Sequence, residues 1–147
     1  MTSGPHIRLV LWKAAKAIEK VDRASIVGTG LQLSEFTIME ALLHKGPLPI
    51  NTIGEKVLLT SGSMTAAINR LETKGFVRRI QDISDGRFFH VHLTEIGRMV
   101  IKKAYEKHAT NLEQVAKGLT EKERREFVRL LKKIGRQAEQ LQVNQCH

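Results

Sequence analysis

Ser61-Gly62-Ser63-Met64-Thr65-Ala66-Ala67-Ile68-Asn69-Arg70-Leu71-Glu72-Thr73-Lys74-Gly75 is the stretch on which the reading of this chain turns. Met64, Ile68 and Leu71 stand four and three residues apart, so a helix would turn all three toward a core. Its other side would then carry Ser61, Ser63, Thr65, Ala66, Asn69 and Arg70. These small polar groups, an amide and a guanidinium can approach and hydrogen-bond base edges in a major groove. Thr60 or Ser61 offers the capping oxygen, and the helix N-terminus attracts a phosphate. Gly75 suits a left-handed exit, with Lys74 beside the negative end of the helix.

Working outward, the short segment Ile50 to Leu58 directs Ile53 and Val57 to the same core. Before it, a helix capped by Ser34 carries Phe36, Met39, Leu42 and Leu43 and stops at Gly46-Pro47. After Gly75 the period changes: Phe76 to Ile80 and Phe88 to Leu93 are rich in aromatic and β-branched residues, with an Asp85-Gly86 turn between them. They read as a β-hairpin that puts Phe89, Val91 and Leu93 on the core. Residues 34–93 therefore read as a winged helix-turn-helix module. Its hairpin carries Arg78, Arg79 and Arg87, with Arg87 at the tip, suited to phosphate neutralisation or to a narrow minor groove. Asp85 orients that arginine or serves as turn former beside Gly86; both roles suit it.

Three long amphipathic helices flank the module, within residues 6–28 and 95–142. The first bears Ile7, Leu11, Ala14, Ile18 and Val21. The second starts after Thr94 and bears Ile101, Tyr105, His108, Leu112 and Val115. The third follows a capping box at Thr120-Glu121-Lys122-Glu123 and bears Phe127, Leu131, Ile134, Ala138 and Leu141. Some two dozen helical residues reach roughly 36 Å, beyond what a winged core of this size covers. A two-fold interface between identical chains would bury the excess; packing of all three stripes within one chain is the alternative.

Length and composition set the frame: 147 residues suit a single domain, 1–147, mainly helical with a small hairpin wing and six helices. A formal charge of +9 points to a polyanion such as nucleic acid, or simply to a basic solvated surface. The lone cysteine, Cys146, precludes a disulfide within the chain and points to a reducing compartment, the cytoplasm. That thiol can bridge two chains on oxidation or stay inert in the tail. No apolar run approaches the ~20 residues of a membrane span. His90 and His92 share a strand face without a Cys or carboxylate cluster, so no metal is expected, nor a cofactor. No paired acid and base suggests an enzyme.

The segment Leu59-Thr60-Ser61-Gly62-Ser63-Met64-Thr65 through Lys74-Gly75-Phe76-Val77-Arg78-Arg79, with Asp85-Gly86-Arg87 and Leu93-Thr94-Glu95-Ile96-Gly97, resembles the multiple-antibiotic-resistance regulator (MarR) family over nearly the whole chain. The resemblance implies a homodimeric transcriptional repressor that binds a pseudo-palindromic promoter site on double-stranded DNA and is released by a small phenolic effector or by oxidation. The Ser-Gly-Ser-Met-Thr segment looks like the branch that answers to hydroquinones, catechols and related quinone-like electrophiles. Peroxide-sensing members commonly carry a cysteine in the first helix, and this chain has none there. The family's effector crevice, between dimer helices and winged module, would have Trp12, Phe36 and Met39 as apolar walls, although each also suits an ordinary core. His108 would bond to the effector or the partner chain, or serve as a core histidine. Two other functions stay open: a winged protein-interaction module, and a nonspecific nucleic-acid-binding protein.

Overall fold

The computed structural model describes residues 2–57 and 61–145, with Ser61 represented by its backbone alone. The elements run α1 (Gly4–Ile26), α2 (Leu33–Lys45), β1 (Leu48–Pro49), α3 (Ile50–Val57), α4 (Ser61–Thr73), β2 (Val77–Gln81), β3 (Phe89–Leu93), α5 (Glu95–Ala116) and α6 (Glu121–Gln145). Two compact units result, Met1–Asn111 and Leu112–His147, with the boundary inside α5.

In the first unit, α1 begins where the Ser3 hydroxyl accepts from the His6 amide at 3.3 Å and Pro5 supplies a preset φ. The expected cap of α2 moves from Ser34 to Gln32: the Glu35 carboxylate accepts the Gln32 amide at 2.9 Å, and Ser34 lies within the first turn. The reason is reciprocity, since a residue at N3 with a carboxylate can serve the cap backbone, whereas Ser34 has no glutamate three residues on. Gly75 takes φ 76° and ends α4 as expected, while its Lys74 reaches across to α2 rather than to the end of its own helix.

A two-residue strand, β1, was not expected. It pairs antiparallel with β3, Leu48 opposite Val91 and Pro49 opposite His90, and makes a three-stranded sheet ordered β1-β3-β2. Pro49 has no N–H to give a ladder, which an edge strand tolerates. In the hairpin, Val77 faces Leu93, Arg79 faces Val91 and Gln81 faces Phe89. Val91 is buried and Leu93 packs on the core, but Phe89 is exposed, contrary to the alternation, because its pair with Gln81 lies at the loop end of the hairpin, out toward the wing tip.

The core gathers Phe36, Ile38, Met39 and Leu42 of α2, Ile53 of α3, Met64, Ala67, Ile68 and Leu71 of α4, Val77 and Val91 of the sheet, and Ile101 and Ala104 of α5. Thr94 joins sheet to helix: its amide donates to Phe76 O at 3.0 Å and its hydroxyl accepts from Gly97 N at 3.0 Å. Gly97 packs so closely that a Cβ there would lie 1.9 Å from Phe76 O. In contrast, the N-terminal two-thirds of α1 is exposed, including Ile7, Leu11 and Ile18 of its predicted stripe.

In the second unit, the Thr120 hydroxyl accepts the Glu123 amide at 3.2 Å at the start of α6, and Arg124 donates to Glu113 at 2.8 Å and to Ala116 O at 3.1 Å. Phe127, Ile134 and Leu141 of the α6 stripe are exposed, and α6 contains no buried residue. No helix among the described residues is long and apolar enough to cross a membrane.

Candidate nucleic-acid interface

Helix α4 presents two chemically distinct faces. Met64, Ala67, Ile68 and Leu71 are buried, while Ser63, Thr65, Ala66 and Asn69 are exposed, so the small polar set forms the outer surface of a helix anchored by its apolar side. Ser61 opens the helix, and its side chain lies outside the described residues, as does Cys146.

Two arginines are drawn inward. Arg70, whose side chain is 38% exposed, donates from Nη2 to Ser34 Oγ at 3.4 Å, and its Nε lies 4.0 Å from Glu35 Oε2. Arg79 pairs with Glu72 and donates from Nη2 to Asn69 Oδ1 at 2.8 Å, tying β2 to α4. That bond fixes the Asn69 amide with its oxygen toward Arg79 and its NH2 available to an acceptor. Arg78, on the other face of β2, is exposed opposite His92.

At the wing tip, Arg87 donates from Nε to Asp85 Oδ1 at 3.1 Å and from Nη2 to Asp85 Oδ2 at 2.9 Å, a two-point grip. The Arg87 amide also donates to Asp85 Oδ1 at 3.1 Å, so Asp85 fills both expected roles, turn former and orienter. The side chain hydrogen bonds from Arg87, then its amide, hold the Asp85 carboxyl below the usual carboxylate range; the same grip raises the guanidinium. Arg87 is 85% exposed, with its charge centre 5.9 Å from the Phe88 ring centroid. A cleft of about 810 Å³ separates this tip from α3 and α4, with Asn51, Glu55, Thr65 and Phe89 on its walls.

The residues expected around an effector separate into different environments. Met39 and Phe36 are buried in the core, Trp12 is 56% exposed on α1, and His108 is buried on α5. Phe36 and His108 meet edge to face, ring centroids 4.8 Å apart. Among the described residues His108 Nδ1 has no hydrogen-bond partner, and Asp22 Oδ1 stands 3.7 Å away. Nearby in the same helix pair, Asn111 Nδ2 donates to Ser25 Oγ at 2.9 Å. Among the described residues no group of three or more His, Cys, Asp or Glu stands together to hold a metal ion; His90 instead lies 3.7 Å from Asp82.

Sequence reasoning passed over Glu35, Glu72, Asp22, Ser25 and Asn111. The Gln32-to-Glu35 spacing is a capping signal that could have drawn attention to Glu35. Nothing in the sequence joins Ser25 to Asn111, 86 positions apart.

Comparison with known proteins gives a consistent picture. A family model described as "MarR family" matches residues 31–88. The chain is 36% identical over 124 residues to the HTH-type transcriptional regulator YkoM of Bacillus subtilis, covering 82% of this chain and 80% of the relative. It is 33% identical over 132 residues to the HTH-type transcriptional regulator MhqR of the same organism, covering 90% of this chain and 91% of the relative. In fold it is similar to a mutant MarR from E. coli solved in complex with operator DNA, with a TM-score of 0.78 at 20% identity over 89% of this chain and 94% of the other.

Proposed function

The chain belongs to the MarR family of DNA-binding transcriptional regulators, and from that premise we propose that it works as a cytoplasmic homodimeric repressor, released from a pseudo-palindromic promoter site by a small phenolic or quinone-like effector. The observation that carries base reading is the outer face of α4, where Ser63, Thr65, Ala66 and Asn69 stand exposed on a helix whose other side is core. In this reading Ser61 joins them at the helix start, and Arg78, Arg87 and the Asp85 that grips it engage the DNA backbone or minor groove. Arg79 positions Asn69, while Arg70 meets phosphate from the flank of α4.

Dimerisation is supported by apolar side chains left uncovered along α1 and, separately, along α6: Ile7, Leu11 and Ile18 on one, Phe127, Ile134 and Leu141 on the other. Apolar side chains exposed at helical spacing along one face are what an association site would bury. Two copies related by a two-fold axis bring two α4 helices to successive major grooves, ~34 Å apart. Effector binding is supported by His108, whose buried Nδ1 has no hydrogen-bond partner among the described residues, stands 3.7 Å from Asp22 and lies beside Phe36, a pairing that suits an aromatic hydroxyl. In this reading Trp12, exposed on α1, and Met39, in the core, come to the effector only if its binding opens the helix packing.

The test is a gel-shift titration between 50 and 200 mM salt on the promoter of the protein's own gene. Six or so phosphate contacts should cost on the order of a thousandfold in affinity across that range. Arg87→Ala should weaken binding and lower the salt slope by about one. A dimer indifferent to duplex DNA would favour a protein-interaction module, and equal affinity for every sequence would favour a nonspecific nucleic-acid-binding protein.

A further inference from the structure

Glu35 is fully buried on α2, yet it faces two cations, Lys74 and Arg70. Lys74 Nζ donates to both of its oxygens, at 3.0 and 2.8 Å, and to Gly30 O at 2.8 Å, so all three ammonium protons are engaged. The Gln32 amide takes a further lone pair at 2.9 Å, and Arg70 Nε stands 4.0 Å off, without a hydrogen-bond partner among the described residues. Arg70 lies in the last turn of α4 and Lys74 directly follows that helix, its amide donating to Arg70 O at 3.0 Å, so a single carboxylate faces both cations.

A buried ion pair of this kind is a poor source of stability, since apolar side chains of similar volume commonly do as well; in some proteins its contribution is instead to select one arrangement over others. The arrangement selected here is the seating of α4 against the start of α2. We propose that Glu35 is a positioning residue for operator recognition: it holds α4 through Lys74 and Arg70, so that Arg70 meets phosphate in the operator register and neither cation is free to reach phosphates outside it. The proposal rests on the reading of α4 as the base-reading helix and adds the group that sets its discrimination.

Replacing Glu35 with glutamine keeps the side chain's shape and an oxygen for the Gln32 amide but removes the charge that restrains the two cations. Affinity for a preferred duplex should then fall by roughly tenfold, the worth of one well-formed base contact. Affinity for scrambled duplex should rise, with a salt slope steeper by about one as a freed cation reaches phosphate. Opposite movement of the two affinities is something a loss of folded protein does not produce.

The experiment selects the preferred duplex from a random pool with the wild-type protein, then measures both affinities for wild type, Glu35→Gln, Lys74→Gln and the double variant, each checked for folding by circular dichroism. Lys74, with its side chain 34% exposed, provides the second entry to the same contact should Glu35→Gln fail to fold. The double variant should regain thermal stability, since neither charge is left alone, while its preference for the selected duplex stays low. A folded single variant with the wild-type ratio of affinities overturns the proposal alone. A wild-type protein that enriches no sequence overturns base reading by α4, and the proposal with it.

Discussion

Replacing Gly97 with alanine tests how tightly the wing is fastened to α5. The new Cβ would stand 1.9 Å from Phe76 O, 2.8 Å from Phe76 C and 3.0 Å from Phe76 Cα, all backbone atoms that no side-chain rotation can clear. An ordinary carbon–oxygen contact is ~3.3 Å, so the start of β2 and the first turn of α5 must separate by about 1.4 Å. That movement strains the 3.0 Å bond from Thr94 N to Phe76 O and the 2.6 Å bond from the Thr94 hydroxyl to Gly75 O. Overpacking of this kind costs about 1–3 kcal/mol, occasionally more. Alanine's helix preference returns at most ~1 kcal/mol. Because the clash is with backbone that cannot rotate away, the upper part of that range applies, and a net loss of about 1–2 kcal/mol corresponds for a chain of this size to a fall of roughly 3–8 °C in Tm. Thermal denaturation followed by circular dichroism measures it, with Gly62→Ala, where an added Cβ meets nothing within 4 Å, as the control expected to melt no lower than wild type. A Gly97→Ala protein melting at or above the wild-type temperature would refute the reasoning.

Leu11→Glu, which sets a charge on the exposed apolar face of α1, should weaken self-association by roughly 2 kcal/mol or more; sedimentation velocity should then show 16.6 kDa monomer at concentrations where wild type is dimeric. The Asp85 carboxyl, held down chiefly by Arg87, should titrate below its unfolded value of about 3.9 in a carbon-detected NMR titration. Because its folded pKa is the lower one, the grip is complete above the unfolded value and is lost only as pH falls through the folded one, and Arg87→Ala should return the midpoint upward. His108→Leu removes a buried nitrogen without a hydrogen-bond partner among the described residues, so Tm should hold or rise. The same variant should release no heat with a phenolic compound that wild type binds, and unchanged calorimetry would remove His108 from the effector site.

The parts of this fold legible in the sequence are those governed by local periodicity. Met64, Ile68 and Leu71 announce the buried side of α4 because each sits one helical turn from the next, and all three are buried. Gly75 and Thr94 mark the boundaries by backbone conformation and capping, which also act over a few residues. What escaped was set by partners distant in the chain. Leu48 and Pro49 become a strand only because β3 lies alongside, and neither residue's propensity signals it. Arg70 and Arg79 occupy positions that solvent or DNA could claim equally, and Glu35 and Glu72 draw them back. Phe89 follows the alternation of its strand, but the core ends before the ladder does.

The central claim is that two copies of this chain set paired α4 helices and wings against one duplex. Hydroxyl-radical footprinting of the complex, with its stoichiometry fixed by sedimentation, measures this most directly. Two symmetric protected patches centred about one helical turn apart, ~34 Å, with two chains per duplex, are predicted. A single protected patch with one chain per duplex would contradict the account.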